Sequence, residues 1–242
     1  MIPKVIHLFW FGGSQKSNLI LSLNKKLKLL ENDGYQIIEW SESNYNVYEH
    51  EFTKKCYEEK KWAHLSDYAR LDILLKYGGI YLDQDIEVIK SFNDLLDYKL
   101  FIGFMFECNL GTAVIGSEKD NKHITRILKK YDQGNISTTS PNNDLFTKYF
   151  LTDVLEFKLN GREQYVDDVK IFPKNYFEQP SLFNKLNYTI HHFDNSWRKK
   201  SKYKITYQFF LKKIIGLYLY RFFMCRKALK ISPFYKEWKK YQ

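Results

Sequence analysis

The first forty residues alternate between short apolar runs and one amphipathic segment. Residues 4–11 are apolar and β-prone, and Gly12 and Gly13 end this run. Leucine or isoleucine recurs at helical spacing through 18–30, and 35–40 is again typical of a strand. The order strand, helix, strand predicts an α/β fold with a mostly parallel, Rossmann-like sheet flanked by helices.

The same alternation continues along the chain. We predict helices over 43–57, 62–77, 91–97, 121–131 and 142–159, and strands over 100–106, 110–116, 169–173 and a segment that begins at Tyr188. Residues 133–141 are predicted to form a loop between two of these helices.

The stretch from Gly78 to Ile89 carries the first candidate chemistry. Two glycines end the helix 62–77, an apolar run follows, and Asp83 and Asp85 stand where that strand ends. Residues i and i+2 of a strand share a face, so both carboxylates could reach one cation. Two solvated acids at a turn are the ordinary explanation of an isolated D-x-D, so the interpretation depends on its surroundings.

Two other positions could join this pair. Asp67 and Arg70 are three residues apart on a mostly apolar helix, which makes them candidates for a site as well as for an ordinary ion pair. Trp10 lies beside the glycine pair, where an indole could stack on a nucleotide base or simply fill the core.

A third group comes late in the chain. His191 and His192 are adjacent at a predicted strand end, and Ser196 and Trp197 follow. Imidazole can ligate a metal, and the hydroxyl and the indole could contact phosphate. Neighbouring residues of a strand face opposite sides, so at most one of the two histidines should reach a given site. A surface histidine pair is the alternative.

Charge divides the chain in two. The formal net charge is +10, but residues 198–242 alone hold 14 Lys or Arg and one acid, Glu237. Such a basic segment indicates an anionic partner. Lys212, Lys213 and Arg221 interrupt the aromatic-rich run 205–225, so no transmembrane span is predicted. We expect contact with an anionic membrane surface, with helices packed on the preceding domain as the alternative and nucleic acid disfavoured.

Cysteine usage and the N-terminus bear on the compartment. Cys56, Cys108 and Cys225 lie far apart without C-x-x-C spacing, so neither a disulfide framework nor a zinc site is indicated. No secretory signal is seen at the N-terminus. The sequence therefore predicts a cytoplasmic protein that is peripheral on the inner face of the plasma membrane.

Three motifs occur in order between residues 2 and 197: I-P-K-x-I-H-x-x-W-F-G-G, S-D-Y-A-R-L-x-x-L-x-x-Y-G-G-I-Y-L-D-x-D and H-H-x-x-x-S-W. Together they resemble the glycosyltransferase family 32 sugar transferases, which include capsular polysaccharide transferases, yeast mannosyltransferases that initiate outer chains and, more distantly, the large clostridial glucosylating toxins.

The resemblance implies a GT-A catalytic domain over 1–197, followed by a basic helical extension over 198–242. It implies Asp83 and Asp85 as the DXD pair, Asp67 and Arg70 as contacts to the donor sugar, and Trp10 as the base-stacking residue. His192, Ser196 and Trp197 match the contacts to metal and diphosphate, and His191 is the less certain histidine. Ser140 and Pro141 replace the family's Gly-Pro, which leaves the acceptor-side roles of 142–144 open.

The function implied by the resemblance is retaining transfer of a hexose from a nucleotide diphosphate sugar to a lipid-linked or growing cell-surface glycan, with Mn²⁺ or Mg²⁺ as the cofactor. No second carboxylate suggests itself as a covalent nucleophile, so the two-carboxylate scheme of retaining glycosidases is not predicted. Attack from the same face as the departing diphosphate is what the resemblance implies. The alternatives are a non-catalytic basic module that binds membrane or nucleotide, and a transferase that modifies a protein acceptor.

Overall fold

The structure, a computed structural model, describes residues 1–133, 142–194 and 202–242, with the backbone alone over 202–209. Its strands are β1 (Val5–Phe9), β2 (Gln36–Trp40), β3 (Gly79–Leu82), β4 (Ile86–Val88), β5 (Leu100–Phe106), β6 (Asn109–Ser117), β7 (Gln164–Val166), β8 (Val169–Phe172) and β9 (Thr189–His191). The α-helices are α1 (Asn18–Leu27), α2 (Glu51–Glu58), α3 (Trp62–Tyr77), α4 (Lys122–Asp132), α5 (Asn142–Asp153), α6 (Lys174–Phe177), α7 (Lys202–Ile231) and α8 (Tyr235–Lys239).

Seven strands form the central sheet in the order β2-β1-β3-β6-β5-β8-β7. Strands β2, β1, β3, β5 and β8 run in one direction, and β6 and β7 run against them. The α/β class with a mostly parallel sheet flanked by helices, as expected of a GT-A domain, is therefore confirmed. Outside this sheet, β4 and β9 pair antiparallel as a small second sheet.

Each face of the central sheet buries its own apolar cluster. Ile80 and Leu82 of β3 pack on one side together with Leu27 of α1, whereas Tyr81 between them packs on the other with Leu65 and Leu71 of α3. This alternation follows from the period of two along a strand. Helix α3 is apolar nearly all round because it is buried between the sheet and its neighbouring helices.

The predicted helix 91–97 is only a short 3₁₀ turn, Asn93–Leu95, and two other predicted helices are much shorter in the structure. Helix α5 ends at Asp153, although apolar periodicity suggested a helix to 159. Val154, Phe157 and Leu159 lie in a loop, but their side chains are buried in the core. Their apolar spacing therefore resembled that of a helix. Helix α2 begins only at Glu51, since 43–50 is formed of turns.

The basic C-terminal segment is helical and packs on the rest of the chain. Tyr220 and Cys225 of α7 are buried, and Phe234 and Trp238 pack against the main apolar cluster. Gly216, with φ 78° and ψ 159°, interrupts the helical geometry of α7. Across the described residues, no helix is both long enough and apolar enough to cross a bilayer.

Close packing fixes the start of β3. Gly79 has φ +104°, and a Cβ there would lie 2.7 Å from the Val5 carbonyl oxygen and 2.8 Å from His7 Nε2. The His7 ring is buried and bridges two elements, since Nε2 contacts the Gly78 carbonyl at 2.8 Å and Nδ1 accepts from Trp40 Nε1 at 3.1 Å. This donor and acceptor pattern requires the neutral ring.

The neutral state of His7 predicts acid sensitivity. Burial lowers the pKa of His7 from 6.5 to about 4. Between these values the unfolded chain binds more protons than the folded one, so the free energy of unfolding should fall as the pH drops from 6.5 to 4, by about 3 kcal/mol in total. Urea unfolding of wild type and His7→Gln across this range measures the effect. An equal slope in both proteins would contradict it.

Candidate active site

The two aspartates lie on the turn between β3 and β4, not on a strand. β3 ends at Leu82, the Asp83 N–H donates to the Ala113 carbonyl at 2.9 Å, and the Ile86 N–H donates to the Asp83 carbonyl at 3.1 Å. The argument that both carboxylates share a strand face is therefore wrong. The turn nevertheless holds the two side chains close together, because both contribute to one cluster of ligand atoms.

Arg70 of α3 reaches this turn from inside the protein. Its guanidinium bonds Asp67 at 2.9 Å and lies 3.5 Å from Asp83 Oδ1. It also donates to the carbonyl oxygens of Ser66 at 3.1 Å and Thr112 at 2.7 Å. The structure thus brings Asp67, Arg70 and Asp83 into one continuous chain of contacts.

The Tyr81 ring completes the surroundings of Arg70. The guanidinium carbon lies 4.3 Å from the centre of that ring, and the Tyr81 hydroxyl donates to Asp83 Oδ1. Burial opposes the charge of Arg70, but Tyr81, Asp83 and Asp67 outweigh it and raise its pKa. Burial raises the pKa of Asp83, while Arg70 and His191 oppose this rise.

Asp85 has a different set of partners. Its Oδ1 lies 3.2 Å from His191 Nε2, and its Oδ2 accepts from the Asp194 N–H at 2.7 Å. Burial alone would raise its pKa, but the contacts with His191 and the Asp194 N–H hold the pKa below its usual value. The pKa of Asp83 is therefore raised and that of Asp85 lowered, so the two carboxylates differ in how readily they ionise.

His191 stands between two carboxylates. Its Nδ1 lies 2.7 Å from Glu178 Oε2, on the side opposite Asp85. Burial would lower the pKa of His191, but Glu178 and Asp85 together raise it to about 10. Glu178 is itself buried, and a Cβ on Gly111 would come within 2.2 Å of Glu178 Oε1. Gly111 therefore leaves the space that this carboxylate occupies.

The predicted metal histidine, His192, does not reach the aspartates with its side chain. His192 Nε2 contacts Glu87 Oε2 at 2.8 Å, and only its backbone N–H bonds the Asp85 carbonyl, at 3.0 Å. The reason is the pairing of β9 with β4, which sets His191 opposite Ile86 and turns the next side chain the other way. The histidine side chain that faces the aspartates is therefore that of His191, whereas His192 was predicted.

Ligand atoms of Asp83, Asp85 and His191 all lie within 4.8 Å of one another. Two carboxylates and one imidazole form a donor set that suits Mn²⁺ or Mg²⁺ rather than a soft, thiolate-preferring metal. The Glu178 contact to the far nitrogen of His191 is the arrangement that commonly orients a ligating imidazole. The residues present thus fit a divalent cation.

Trp10 is the first residue after β1, and Asp83 is the first residue after β3. Since β1 and β3 are parallel neighbours, both residues lie at the same edge of the sheet. Trp10 Nε1 donates to the Ser14 carbonyl at 2.7 Å, and Lys16 Nζ lies 5.5 Å from the ring centre. A role in base stacking stays a prediction. Ser140, Pro141, Ser196 and Trp197 lie outside the described residues.

Four residues of the site were missed by the sequence analysis. Asn143 Oδ1 accepts from both the N–H and the hydroxyl of Thr112, at 3.0 and 2.5 Å, and Thr112 in turn holds Arg70. Tyr81 and Glu178 are the other two. Asn143 falls in the segment whose role was left open, whereas a buried glutamate such as Glu178 has no recognisable signal in a single sequence.

Comparison with known proteins bears on this geometry. Residues 17–102 match the family described as glycosyltransferase sugar-binding region containing DXD motif, and this range includes Asp67, Arg70, Asp83 and Asp85. An uncharacterized glycosyltransferase of Acanthamoeba polyphaga mimivirus is 26% identical over 200 residues, which cover 77% of each chain.

Two relatives from Schizosaccharomyces pombe match shorter stretches. Inositol phosphoceramide mannosyltransferases 3 and 1 are 25% and 31% identical over 53% and 42% of this chain. The matched stretches span only 36% and 33% of the length of these two relatives.

Solved structures of glycosyltransferases are also similar. The PaToxG glycosyltransferase has a TM-score of 0.49 at 20% identity, covering 63% of this chain and 69% of its own. GlyE of Streptococcus pneumoniae has a TM-score of 0.46 at 10% identity, covering 93% and 63%. The family match and the sequence relatives together support the glycosyltransferase class and the resemblance to the DXD-containing transferases.

Proposed function

We propose that this protein is a retaining glycosyltransferase that moves a hexose from a nucleotide diphosphate sugar to a lipid-linked or growing cell-surface glycan. The observation that carries the proposal is the convergence of the Asp67, Arg70 and Asp83 contacts with the Asp85 and His191 pair on one turn. One side of this turn would bind sugar hydroxyls and the other would bind the charged diphosphate.

We propose that Asp83, Asp85 and His191 hold the divalent cation, Mn²⁺ or Mg²⁺. Such a cation, when bound, neutralises negative charge on the diphosphate leaving group as the glycosidic bond breaks. The ligands must be deprotonated to bind it, so His191 would give up the Nε2 proton that faces Asp85 and keep the Nδ1 proton that faces Glu178. Glu178 would then remain as the acceptor that fixes the orientation of the ring.

Asp67 and Arg70 have different parts in this proposal. All three guanidinium nitrogens of Arg70 already contact protein groups, and only 5% of the residue surface is exposed. We therefore assign Arg70 mainly to positioning, since it holds Asp67 and Asp83 through ion pairs at 2.9 and 3.5 Å. Asp67 is less deeply buried, and its Oδ2, which lies 3.5 Å from His64 Nδ1, can also accept from a sugar hydroxyl.

The stereochemical part of the proposal follows from the resemblance. The further carboxylate beside the aspartates, Glu178, is buried behind the His191 ring and bonded to it. It is therefore badly placed to attack a sugar carbon as the nucleophile of a two-carboxylate mechanism would. Attack by the acceptor from the face that the diphosphate leaves is the route to retention that the resemblance implies.

We further propose that the protein works on the inner face of the plasma membrane. Helix α7 exposes large apolar side chains among its basic residues, including Phe210, Ile214, Phe223 and Ile231. Apolar side chains mixed with Lys and Arg are typical of a surface that contacts anionic lipid. A membrane position would bring the site to a lipid-linked acceptor.

The Asp85→Asn variant tests the enzyme proposal. Loss of one carboxylate charge should reduce Mn²⁺-dependent hydrolysis of the nucleotide sugar by about 10²-fold or more, since electrostatic stabilisation of the leaving group is lost. A panel of nucleotide sugars with Mn²⁺, assayed for released sugar without acceptor, measures it. Asp97→Asn, at an exposed aspartate remote from the turn, is the matched control.

The non-catalytic alternative gives the opposite result. If the D-x-D is only structural, Asp85→Asn leaves nucleotide binding and every activity unchanged. Absence of metal-dependent hydrolysis across the whole donor panel, in wild-type protein whose folding is verified by circular dichroism, would also overturn the proposal.

Glu178→Gln tests the metal set without relying on turnover. The amide oxygen can still accept from His191 Nδ1, but the charge that raises the basicity of the ring is lost, so Mn²⁺ should bind about 10- to 100-fold more weakly. Titration followed by electron paramagnetic resonance of free Mn²⁺ gives the dissociation constant. Glu58→Gln, on the exposed side of α2, is the control. Equal Mn²⁺ affinity of wild type, Glu178→Gln and Glu58→Gln would contradict the proposed role of Glu178 in orienting His191.

A further inference from the structure

An open pocket lies beside the proposed donor site. It has a volume of about 710 Å³ and is bordered by the end of β5, the segment 173–186 and helix α7. Glu107, Gln179 and Arg221 lie on its wall, and Leu182, Phe183 and Phe222 are among its apolar lining. None of these residues belongs to the metal cluster or to the Arg70 contacts.

The wall of this pocket contains unpaired polar atoms. Glu107 Oε2, Gln179 Oε1 and Arg221 Nε are buried without a hydrogen-bond partner, and they are three of the six such side-chain atoms within the described residues. Gln179 is only 3% exposed, and its other amide atom is fixed by a bond to the Met105 carbonyl at 3.2 Å. A buried polar atom without a partner is destabilising, so this concentration indicates groups that a ligand completes.

The types of these atoms define the ligand chemistry. Glu107 Oε2 and Gln179 Oε1 are acceptors, whereas Arg221 Nε is a donor. A phosphate offers only acceptors and would leave the two oxygens unpaired. Hydroxyl groups both donate and accept, so a saccharide can satisfy all three atoms. The charge of Glu107 is already balanced by its ion pair with Lys174, which suits an uncharged head group.

The rim of the pocket is apolar and exposed. Leu182 and Phe183 are 58% and 82% exposed on one side, and Phe222 is 42% exposed on α7 at the other. Leu186 and Tyr218 extend this surface, and both are also exposed. Side chains of this size rarely gather on a surface without a partner, and a hydrocarbon chain would cover them.

Arg221 connects the pocket to the donor site. Its guanidinium donates to the carbonyl oxygens of His191 and His192 at 3.1 and 3.0 Å and lies 4.3 Å from the centre of the Phe193 ring. Gln179 directly follows Glu178, the carboxylate that bonds His191. A head group against Gln179 and Arg221 would therefore touch residues that are bonded or adjacent to those holding His191.

We infer that this pocket binds the acceptor of the proposed reaction, and that this acceptor is an amphiphilic saccharide. Its hydroxyl groups pair with Glu107, Gln179 and Arg221, and its apolar chain lies over Leu182, Phe183 and Phe222. The inference rests on the proposed transferase function for the identification of this ligand as the acceptor. It narrows the acceptor from glycans in general to those that carry a lipid.

Binding of short alkyl glycosides tests the inference. The probes are the octyl β-D-glucoside, galactoside and mannoside, each below its critical micelle concentration and titrated by calorimetry. Methyl glucoside retains the head group alone, and octyl tetraethylene glycol retains the chain without the sugar ring. We expect saturable one-to-one binding of at least one octyl glycoside, with each of the two partial probes weaker by about tenfold or more, because each lacks one set of contacts.

A double variant locates this binding. Leu182→Ser with Phe222→Ser should weaken octyl glycoside binding by about tenfold or more, whereas Leu29→Ser with Leu155→Ser, at exposed leucines elsewhere, should not change it. Equal affinity of the two double variants would overturn the inference. So would binding of octyl tetraethylene glycol equal to that of the glycosides, which indicates a surface for lipid alone, or failure of every glycoside to bind.

Donor hydrolysis measured on the same wild-type samples separates this inference from the function on which it rests. If the protein hydrolyses a nucleotide sugar but binds no octyl glycoside, the pocket assignment fails and the transferase proposal stands. If a glycoside binds as described but no donor is hydrolysed, the pocket binds amphiphilic saccharides and its identification as an acceptor site is wrong.

Discussion

A buried guanidinium organises the candidate site. Arg70 is removed from water on an apolar helix, and such a charge is tolerated only when carboxylates and carbonyl oxygens surround it. Asp67, Asp83 and the Thr112 carbonyl meet this need from α3, the turn after β3, and β6. The cost of burying one charge thus fixes the relative positions of three elements, and with them one of the two carboxylates proposed to hold the cation.

The second half of the site depends on a contact between distant segments. Pairing of β4 with β9 sets His191 beside Asp85, and Glu178 approaches the same ring from the other side. Arg221 of the C-terminal helix then bonds the backbone of both histidines. The basic extension is therefore connected to the site through hydrogen bonds, besides the charge that it offers to an anionic surface.

The sequence predicted the parts of this arrangement that local pattern determines. The bounds of α3 and β5 agree with prediction, and the spacing of Asp67 and Arg70 correctly placed them together. The strand-face argument for Asp83 and Asp85 failed because β3 ends one residue earlier, and a turn brings them together instead. The choice between His191 and His192 needed the register of β9, which no local pattern encodes. The role of Glu178 could not be predicted, because its position depends on the space beside Gly111, which is visible only in three dimensions.

The central claim is that one turn and one distant histidine form a single cation and diphosphate site. The most direct measurement is a crystal structure of the protein with Mn²⁺ and a nucleoside diphosphate, in which anomalous scattering locates the metal. The account predicts one anomalous peak within bonding distance of the aspartate carboxylates and of His191, with diphosphate oxygens bound to the same ion. A peak bound by His192 and Glu87 instead, or a nucleotide bound away from this turn, would contradict it.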